Sequence, residues 1–202
     1  ATLHWAGIAV GVVAGLLILG ILVLYSAGRM RLNKKYEVPP EMIAIPNDAE
    51  SLNEGKRIFQ YRGCEACHGE QLQGLIYLDN PAIGQVITPN LTSGQGGIGA
   101  QRTDKDLIRA IKHGIRPDGT PLLFMPSTEF YFLSNTDLGK VLAYIRKVPP
   151  VKNEMQPSKL SFSGFAVMNV MKDITFLPAE LIPHDEPPPS APEPGITAQY
   201  GE

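Results

Sequence analysis

The first 28 residues contain no Asp, Glu, Lys or Arg, and the whole chain of 202 residues contains only two cysteines and one tryptophan. Two cysteines cannot build a disulfide scaffold. The net charge is −2, so the chain has no basic excess with which to bind nucleic acid through its phosphates. Twenty glycines and eighteen prolines argue against a plain helical bundle.

An uncharged run of 23 residues extends from Trp5 to Ala27. A helix of this length is about 34 Å long, enough to cross a hydrocarbon core of about 30 Å. Trp5 and Tyr25 stand near its two ends, where amphipathic rings favour the headgroups. A cleaved signal peptide has a shorter apolar core, and a buried soluble helix rarely runs so long without a polar residue. We therefore predict a transmembrane signal-anchor helix over residues 1–28.

One motif points directly to a cofactor. Residues 64–68 read Cys-Glu-Ala-Cys-His. On a helical turn, positions i, i+3 and i+4 share one face, so Cys64, Cys67 and His68 can meet one porphyrin as two thioether sites and a proximal imidazole. This is the haem c attachment signature, and it predicts one covalent haem c. A thioredoxin-like redox pair, a zinc site and two inert core cysteines are the alternatives.

Two features of the sequence conflict over which side of the membrane residues 29–202 occupy. Arg29, Arg31, Lys34 and Lys35 follow the apolar run directly, and the positive-inside rule would keep that end in the cytoplasm. Haem c, however, is attached outside the cytoplasm. We let the haem chemistry decide, and predict a single-pass protein of the inner membrane with residues 29–202 on the periplasmic side.

A second axial ligand is sought among six methionines. Met125 is the one inside the compact segment, and Pro126 after it disfavours helical geometry and suits a ligand loop. Two alternatives stay open. Met125 could simply fill the core, and His113 could be the ligand, although its place before Gly114 also suits a helix end.

The compact segment, residues 49–150, is predicted to be mainly α-helical around one haem, after a linker over residues 29–48. Helices are predicted after Asp48 or Ser51, after Thr103 and after Ser134, each of which can cap a helix. Residues 88–99 are predicted to be a glycine-rich loop. Six aromatic residues are candidates for the haem wall: Tyr61, Phe124, Phe130, Tyr131, Phe132 and Tyr144.

Residues 151–202 are predicted to be an extended, proline-rich tail that docks on partner subunits. Six of the twelve residues from Pro183 to Pro194 are proline, which favours extended backbone. The apolar stretch from Leu160 to Met171 is too short and too polar to span a membrane. A surface helix of the same domain is the alternative for that stretch.

With these features placed, residues 50–150 resemble class I-type cytochrome c domains, in particular the haem modules of membrane-linked bacterial electron-transfer complexes. The resemblance implies that Cys64 and Cys67 carry the thioethers and that His68 and Met125 are the axial ligands. The chain departs from these relatives by lacking a tryptophan before the Thr103 helix. The residues that carry the resemblance are Gly55, Cys64–Gly69, Thr88–Thr92, Gly97–Gly99, Asp104–Ile111, Gly114–Gly119, Met125–Pro126 and Leu133–Leu138.

Three functions are compatible with these features. The first is a membrane-anchored electron-transfer subunit of a respiratory or photosynthetic quinol-oxidising complex, because an anchor with one haem also resembles the monohaem subunit of alternative complex III. The second is the electron-accepting cytochrome subunit of a periplasmic dehydrogenase. The third is a haem sensor or peroxidase, which needs an open iron site. The first two imply membrane and periplasmic partner subunits, membrane lipid and a soluble acceptor such as a small cytochrome or copper protein.

Overall fold

A computed structural model describes residues 2–39, 41–171 and 175–188. Helix α1 spans Thr2–Leu32. Its segment His4–Leu32 is long and apolar enough to cross a membrane by length and composition, and none of its most apolar window is buried against the rest of the protein.

The remaining helices build the compact domain and the start of the tail, and they confirm the mainly helical class. They are α2 (Ala49–Tyr61), α3 (Cys64–His68), α4 (Asp104–His113), α5 (Ser127–Phe130), α6 (Asn135–Lys147) and α7 (Phe162–Val170), followed by a 3-10 turn over Pro178–Glu180.

Side-chain caps start the three helices whose beginnings the sequence predicted. The Ser51 amide donates to the Asp48 carboxylate at 2.9 Å, so Asp48 caps α2. Thr103 and Asp106 form a reciprocal capping box at the start of α4. The Ser134 hydroxyl accepts from the Asp137 amide at 3.0 Å and caps α6.

The main core forms where α2 and α6 cross. A Cβ added at Gly55 would lie 2.0 Å from the carbonyl oxygen of Lys140, so only glycine allows the two helices to approach this closely. Around the crossing lie the buried residues of the first core cluster: Ile58, Phe59, Leu72, Leu91, Leu107, Ile108, Phe130, Leu133, Leu138, Val141, Leu142 and Ile145.

A small antiparallel sheet was not predicted. Its strands β1 (Leu75–Asn80), β2 (Gly84–Thr88) and β3 (Lys159–Leu160) lie in the order β1-β2-β3. The predicted glycine-rich loop begins where β2 ends. The hairpin escaped prediction because its connection, Asn80 to Gly84, is not a standard two-residue turn and its strands are only partly buried.

The described part of the tail differs from an extended segment. Residues 151–171 and 175–188 contain β3, α7 and the 3-10 turn. They contribute the second core cluster, in which Met168, Phe176 and Leu177 are buried against Leu32, Ile83, Leu123, Phe124, Leu160 and Val167. Of the predicted extended run Pro183–Pro194, residues 189–194 lie outside the described residues. Docking on partner subunits stays a prediction.

The crossing of α2 and α6 gives a stability prediction. Gly55→Ala should lower the free energy of unfolding by about 1–3 kcal/mol, because the added methyl group meets a helix backbone that cannot move aside locally. For a chain of this size that corresponds to a fall in Tm of roughly 2–4 °C per kcal/mol. The exposed neighbour Lys56→Ala is the control and should change stability by less than about 0.5 kcal/mol. Equal Tm values for the two variants would contradict the close crossing.

Candidate haem-binding site

The Cys-x-x-Cys-His motif forms a helical turn of its own, α3, between two glycines. Gly63 and Gly69 have φ of 71° and 80°, a backbone conformation that residues other than glycine rarely adopt. Because residues i, i+3 and i+4 share one face of a helix, Cys64, Cys67 and His68 lie on the same side of the turn. Both thiols are free and half-buried.

The environment of the thiols suits covalent attachment better than redox catalysis. Burial raises the pKa of Cys64 to about 11 and also raises that of Cys67. Both thiols are therefore protonated near pH 7. Redox-active cysteine pairs depend instead on a thiol whose pKa is lowered, so the thioredoxin-like alternative has no support from the electrostatics of this turn.

His68 is oriented by a backbone carbonyl. Its Nδ1 lies 3.2 Å from the Pro89 carbonyl oxygen. When Nδ1–H donates this hydrogen bond, the lone pair of Nε2 is left free to bind a metal. Burial lowers the pKa of His68, which favours the neutral ring that metal binding requires.

The end of strand β2 holds α3 in place. The Thr88 hydroxyl donates to the Cys67 carbonyl oxygen at 2.5 Å and accepts from the Leu75 amide at 3.0 Å. The Gly74 amide donates to the His68 carbonyl oxygen at 2.8 Å. A Cβ at Gly74 would lie 2.5 Å from the Thr88 carbonyl oxygen. The hairpin therefore holds the chain between Cys67 and Leu75 at both of its ends.

A cluster of buried polar side chains connects the start of the tail to the chain around the hairpin. Asn90 and Thr92 are almost fully buried and hydrogen-bonded to each other at 2.8 Å. The side-chain Nδ2 of Asn90 donates to the Val151 carbonyl oxygen at 2.8 Å, and the side-chain Nδ2 of Asn153 donates to the Gln73 carbonyl oxygen at 2.8 Å. Sequence reasoning missed this role of Asn90 and Thr92, although both lie in the stretch that carries the family resemblance.

Met125 lies in a constrained loop before α5. The preceding Phe124 has a φ of 58°, unusual for a residue with a side chain, and its amide donates to the Phe176 carbonyl oxygen at 3.0 Å. After it, Pro126 precedes the fully buried Ser127, whose hydroxyl donates to the Ala110 carbonyl oxygen at 3.0 Å. The loop is therefore held on both sides of Met125.

The predicted ligand loops border the same core cluster. Cys64 from α3 and Met125 from its loop are both partly buried and packed against the first core cluster. Two free thiols and an imidazole with an available Nε2 on one helical face are the donor set that haem c requires, so these residues fit the group. Axial binding by His68 and Met125 stays a prediction.

The six candidate aromatic residues do not form one wall. Phe130 belongs to the first core cluster. Tyr144 packs against that cluster and meets Phe59 edge to face at 5.5 Å. Phe124 belongs to the second cluster instead. The remaining three lie elsewhere: Tyr61 is 78 % exposed, and Tyr131 and Phe132 lie near His113 or its cavity.

His113, the rival ligand, is engaged in a separate polar group. Its Nδ1 lies 3.1 Å from Nδ1 of His184, and its Nε2 lies 3.3 Å from the Glu41 carboxylate. The same carboxylate accepts from the buried Lys112 ammonium at 2.8 Å. The ring thus contacts the linker and the tail, rather than the last carbonyls of α4 as the sequence suggested. These polar side chains line a cavity of about 580 Å³ whose walls include none of the predicted thioether and axial residues.

Comparison with known proteins matches the compact segment to one family. Residues 52–149 match the family model for Cytochrome c. The fructose dehydrogenase cytochrome subunit of Gluconobacter japonicus is 32 % identical over 132 residues, covering 61 % of this chain and 27 % of that protein. The alcohol dehydrogenase (quinone) cytochrome c subunit of Gluconacetobacter polyoxogenes is 31 % identical over 125 residues, covering 58 % and 26 %.

Residues 52–149 therefore form a cytochrome c domain, and its cofactor is covalently bound haem c. This domain follows the apolar amino-terminal helix α1 along the chain. The chain spans about a quarter of the length of the relatives it matches.

The motif gives a prediction about attachment. The denatured protein should keep one haem per chain in a mass spectrum, and Cys64→Ser combined with Cys67→Ser should release it, because thioethers are then impossible. Glu65→Gln, within the same turn, is the matched control and should retain the haem. A haem that the double variant still holds covalently would show that attachment lies elsewhere.

The His113 group gives a prediction about pH. Burial lowers the pKa of His113 and of His184, so folding favours their neutral forms. Their contribution to stability is therefore fully present above the unfolded pKa of about 6.5 and is lost as the pH falls from there through the folded values. The charged neighbours of the two histidines are Glu41, Lys112, Lys34 and Asp185.

We expect the Tm of the wild-type protein to fall more between pH 7.5 and pH 5.5 than that of His184→Phe, which cannot be protonated at this position. His4→Phe, an exposed position in α1, is the control and should behave like the wild type. The measurement is thermal denaturation followed by circular dichroism. Equal decreases for wild type and His184→Phe would contradict the assigned role of the pair.

Proposed function

We propose that this chain is the membrane-anchored, electron-accepting cytochrome c subunit of a periplasmic dehydrogenase, with His68 and Met125 as the two axial ligands of its haem. The observation that carries haem ligation by His68 is the hydrogen bond from His68 to the Pro89 carbonyl. It leaves Nε2 as a ready ligand on the same helical face as the two thiols.

The side chains have separate roles in haem attachment and iron ligation. Cys64 and Cys67 would hold the haem covalently, and the bond from His68 Nδ1 to the Pro89 carbonyl oxygen fixes the orientation of the ring whose Nε2 would bind the iron. Met125, held by its constrained loop, would supply the second iron ligand. Haem c supplies a one-electron iron centre, and a histidine–methionine pair raises its reduction potential. Two protein ligands leave no open position for a substrate, which favours relay over the sensor or peroxidase alternative.

Similarity to dehydrogenase subunits supports this partner over a quinol-oxidising complex. The matched relatives from Gluconobacter japonicus and Gluconacetobacter polyoxogenes are cytochrome subunits of a fructose and an alcohol dehydrogenase. The partner would then carry out the substrate chemistry and pass single electrons to this haem. A subunit like that of alternative complex III, the hypothesis that the sequence suggested first, has no comparable support.

The proposed location follows from the cofactor. Haem c is attached outside the cytoplasm, so the domain would face the periplasm while α1 crosses the inner membrane, its amino end inside. Arg31, one of the basic residues that argued for the opposite orientation, is bound to Glu180 through two contacts of 2.9 and 2.6 Å. Its charge therefore has a structural use apart from topology.

Ligation by Met125 is tested by its substitution. The oxidised wild type should show the weak sulfur-to-iron charge-transfer band at the red edge of the visible spectrum. Met125→Ala should abolish this band and open the reduced iron to carbon monoxide. Because thioether sulfur favours ferrous iron, the potential should fall by more than about 59 mV, a tenfold change in a one-electron equilibrium.

His113→Ala serves as the matched comparison. Since His113 contacts Glu41 and His184, its loss should leave the band, the carbon monoxide behaviour and the potential almost unchanged. If Met125→Ala keeps a normal band while His113→Ala loses low-spin ligation, the assignment of the sixth ligand is wrong.

A further inference from the structure

Helix α7 is a short helix without a charged residue. Its nine residues, Phe162–Val170, read FSGFAVMNV. Apolar side chains occur on every side of it rather than along one stripe. A helix that is apolar all round is normally surrounded by protein or by lipid.

Helix α7 packs across α1 near the end of the apolar run of α1. A Cβ at Gly28 would lie 2.4 Å from the Phe165 carbonyl oxygen, so the two backbones nearly touch there. The ring of Tyr25 stacks on Phe162 at 4.7 Å, and the Arg29 guanidinium lies 5.7 Å from the centre of the Phe165 ring. These contacts straddle Ala27, the last residue of the uncharged run.

The level of these contacts coincides with the edge of the hydrocarbon core if α1 spans the membrane. From Trp5 to Tyr25 the helix rises about 30 Å, the thickness of the core. Tyr25 and Arg29 are residue types that favour the headgroup region. Helix α7, which touches both, is therefore placed at the boundary between acyl chains and headgroups.

The polar side chains of α7 are all bonded to protein. The Ser163 hydroxyl donates to the Ala82 carbonyl oxygen at 2.8 Å. The side-chain Nδ2 of Asn169 donates to the carbonyl oxygens of Leu24 and Phe165 at 2.9 and 2.8 Å. None of these groups needs water, so the helix can lie in lipid without leaving a buried polar group unpaired.

Helix α7 also exposes apolar surface. Phe162 is 52 % exposed, Val170 is 66 % exposed and Met171, just after the helix, is 43 % exposed. The adjoining part of α1 also exposes apolar side chains, since Leu22 and Val23 are 48 % and 58 % exposed. We propose that α7 is an interfacial membrane helix, whose apolar side inserts among phospholipid acyl chains beside the anchor.

The consequence concerns the haem domain. Met168 of α7 is buried in the second core cluster together with Leu32 of the anchor and Phe124, the neighbour of Met125. With α7 held in the membrane surface, the Met125 loop is held at a fixed height above the bilayer. The inference rests on the proposed membrane anchoring of α1.

The test measures contact with lipid directly. Single cysteines would be introduced as Val170→Cys and Phe162→Cys in full-length holoprotein, in phospholipid nanodiscs that contain one copy each. Because the native cysteines carry the haem, a membrane-impermeant maleimide reports only on the new thiol. Lys152→Cys, exposed on the described part of the tail, is the water reference, and Leu17→Cys on α1, which is 64 % exposed, is the bilayer reference.

We expect both α7 thiols to react at least tenfold more slowly than the thiol of Lys152→Cys, and α7 peptides to be labelled by a phospholipid with a photoactivatable acyl chain. Rapid reaction at Val170→Cys with slow reaction at Leu17→Cys would overturn the inference but leave the anchor intact. Rapid reaction at Leu17→Cys would overturn the anchoring as well. Slow reaction without lipid labelling would mean that protein covers α7, which would also overturn the inference.

Discussion

The hydrogen bond between His68 and the Pro89 carbonyl oxygen is the interaction on which the other parts of the site depend. An imidazole can act as an iron ligand only if one nitrogen keeps its lone pair and the ring is held in one orientation. The carbonyl that provides this orientation belongs to the residue directly after β2. The hairpin therefore positions the residues that would bind the cofactor. The bond between Thr88 and the Cys67 carbonyl oxygen is a second hydrogen bond between the end of the hairpin and α3.

Backbone strain is concentrated beside the two proposed ligands. Among the described residues other than glycine, only Leu72 and Phe124 have positive φ, both 58°. Such conformations cost about 1–3 kcal/mol each and persist only where the surroundings enforce them. Leu72 is fully buried in the first core cluster, and Phe124 is held by a hydrogen bond to Phe176 and by ring contact at 4.9 Å. The packing of two separate clusters thus offsets the strain of the two loops.

The sequence revealed the local features of this site and missed those made by distant residues. The spacing of Cys64, Cys67 and His68 fixes a single helical face, and the caps at Thr103 and Ser134 fix the starts of α4 and α6, because each depends on residues within one turn. The contact of His113 with His184 joins residues 71 apart, and Asn90 bonds Val151 across 61 residues. No periodicity encodes such pairs, so the tail looked extended although it packs on the domain.

The same distant contacts determine how the domain is connected to its anchor. A linker over residues 29–48 suggests a domain on a flexible tether, yet the linker lies against the domain at several points. The Tyr36 amide donates to the Gly119 carbonyl oxygen at 3.0 Å, and a Cβ at Gly139 would lie 2.2 Å from the Ala44 carbonyl oxygen. Glu41 pairs with Lys112, which is only 2 % exposed, and releasing this linker would leave a buried ammonium without its carboxylate partner. In the proposed dehydrogenase complex, a cytochrome held in this way would present its haem from one orientation, whereas a tethered one would sample many. Its electron transfer would then depend on how the partner subunit docks rather than on diffusion of the domain.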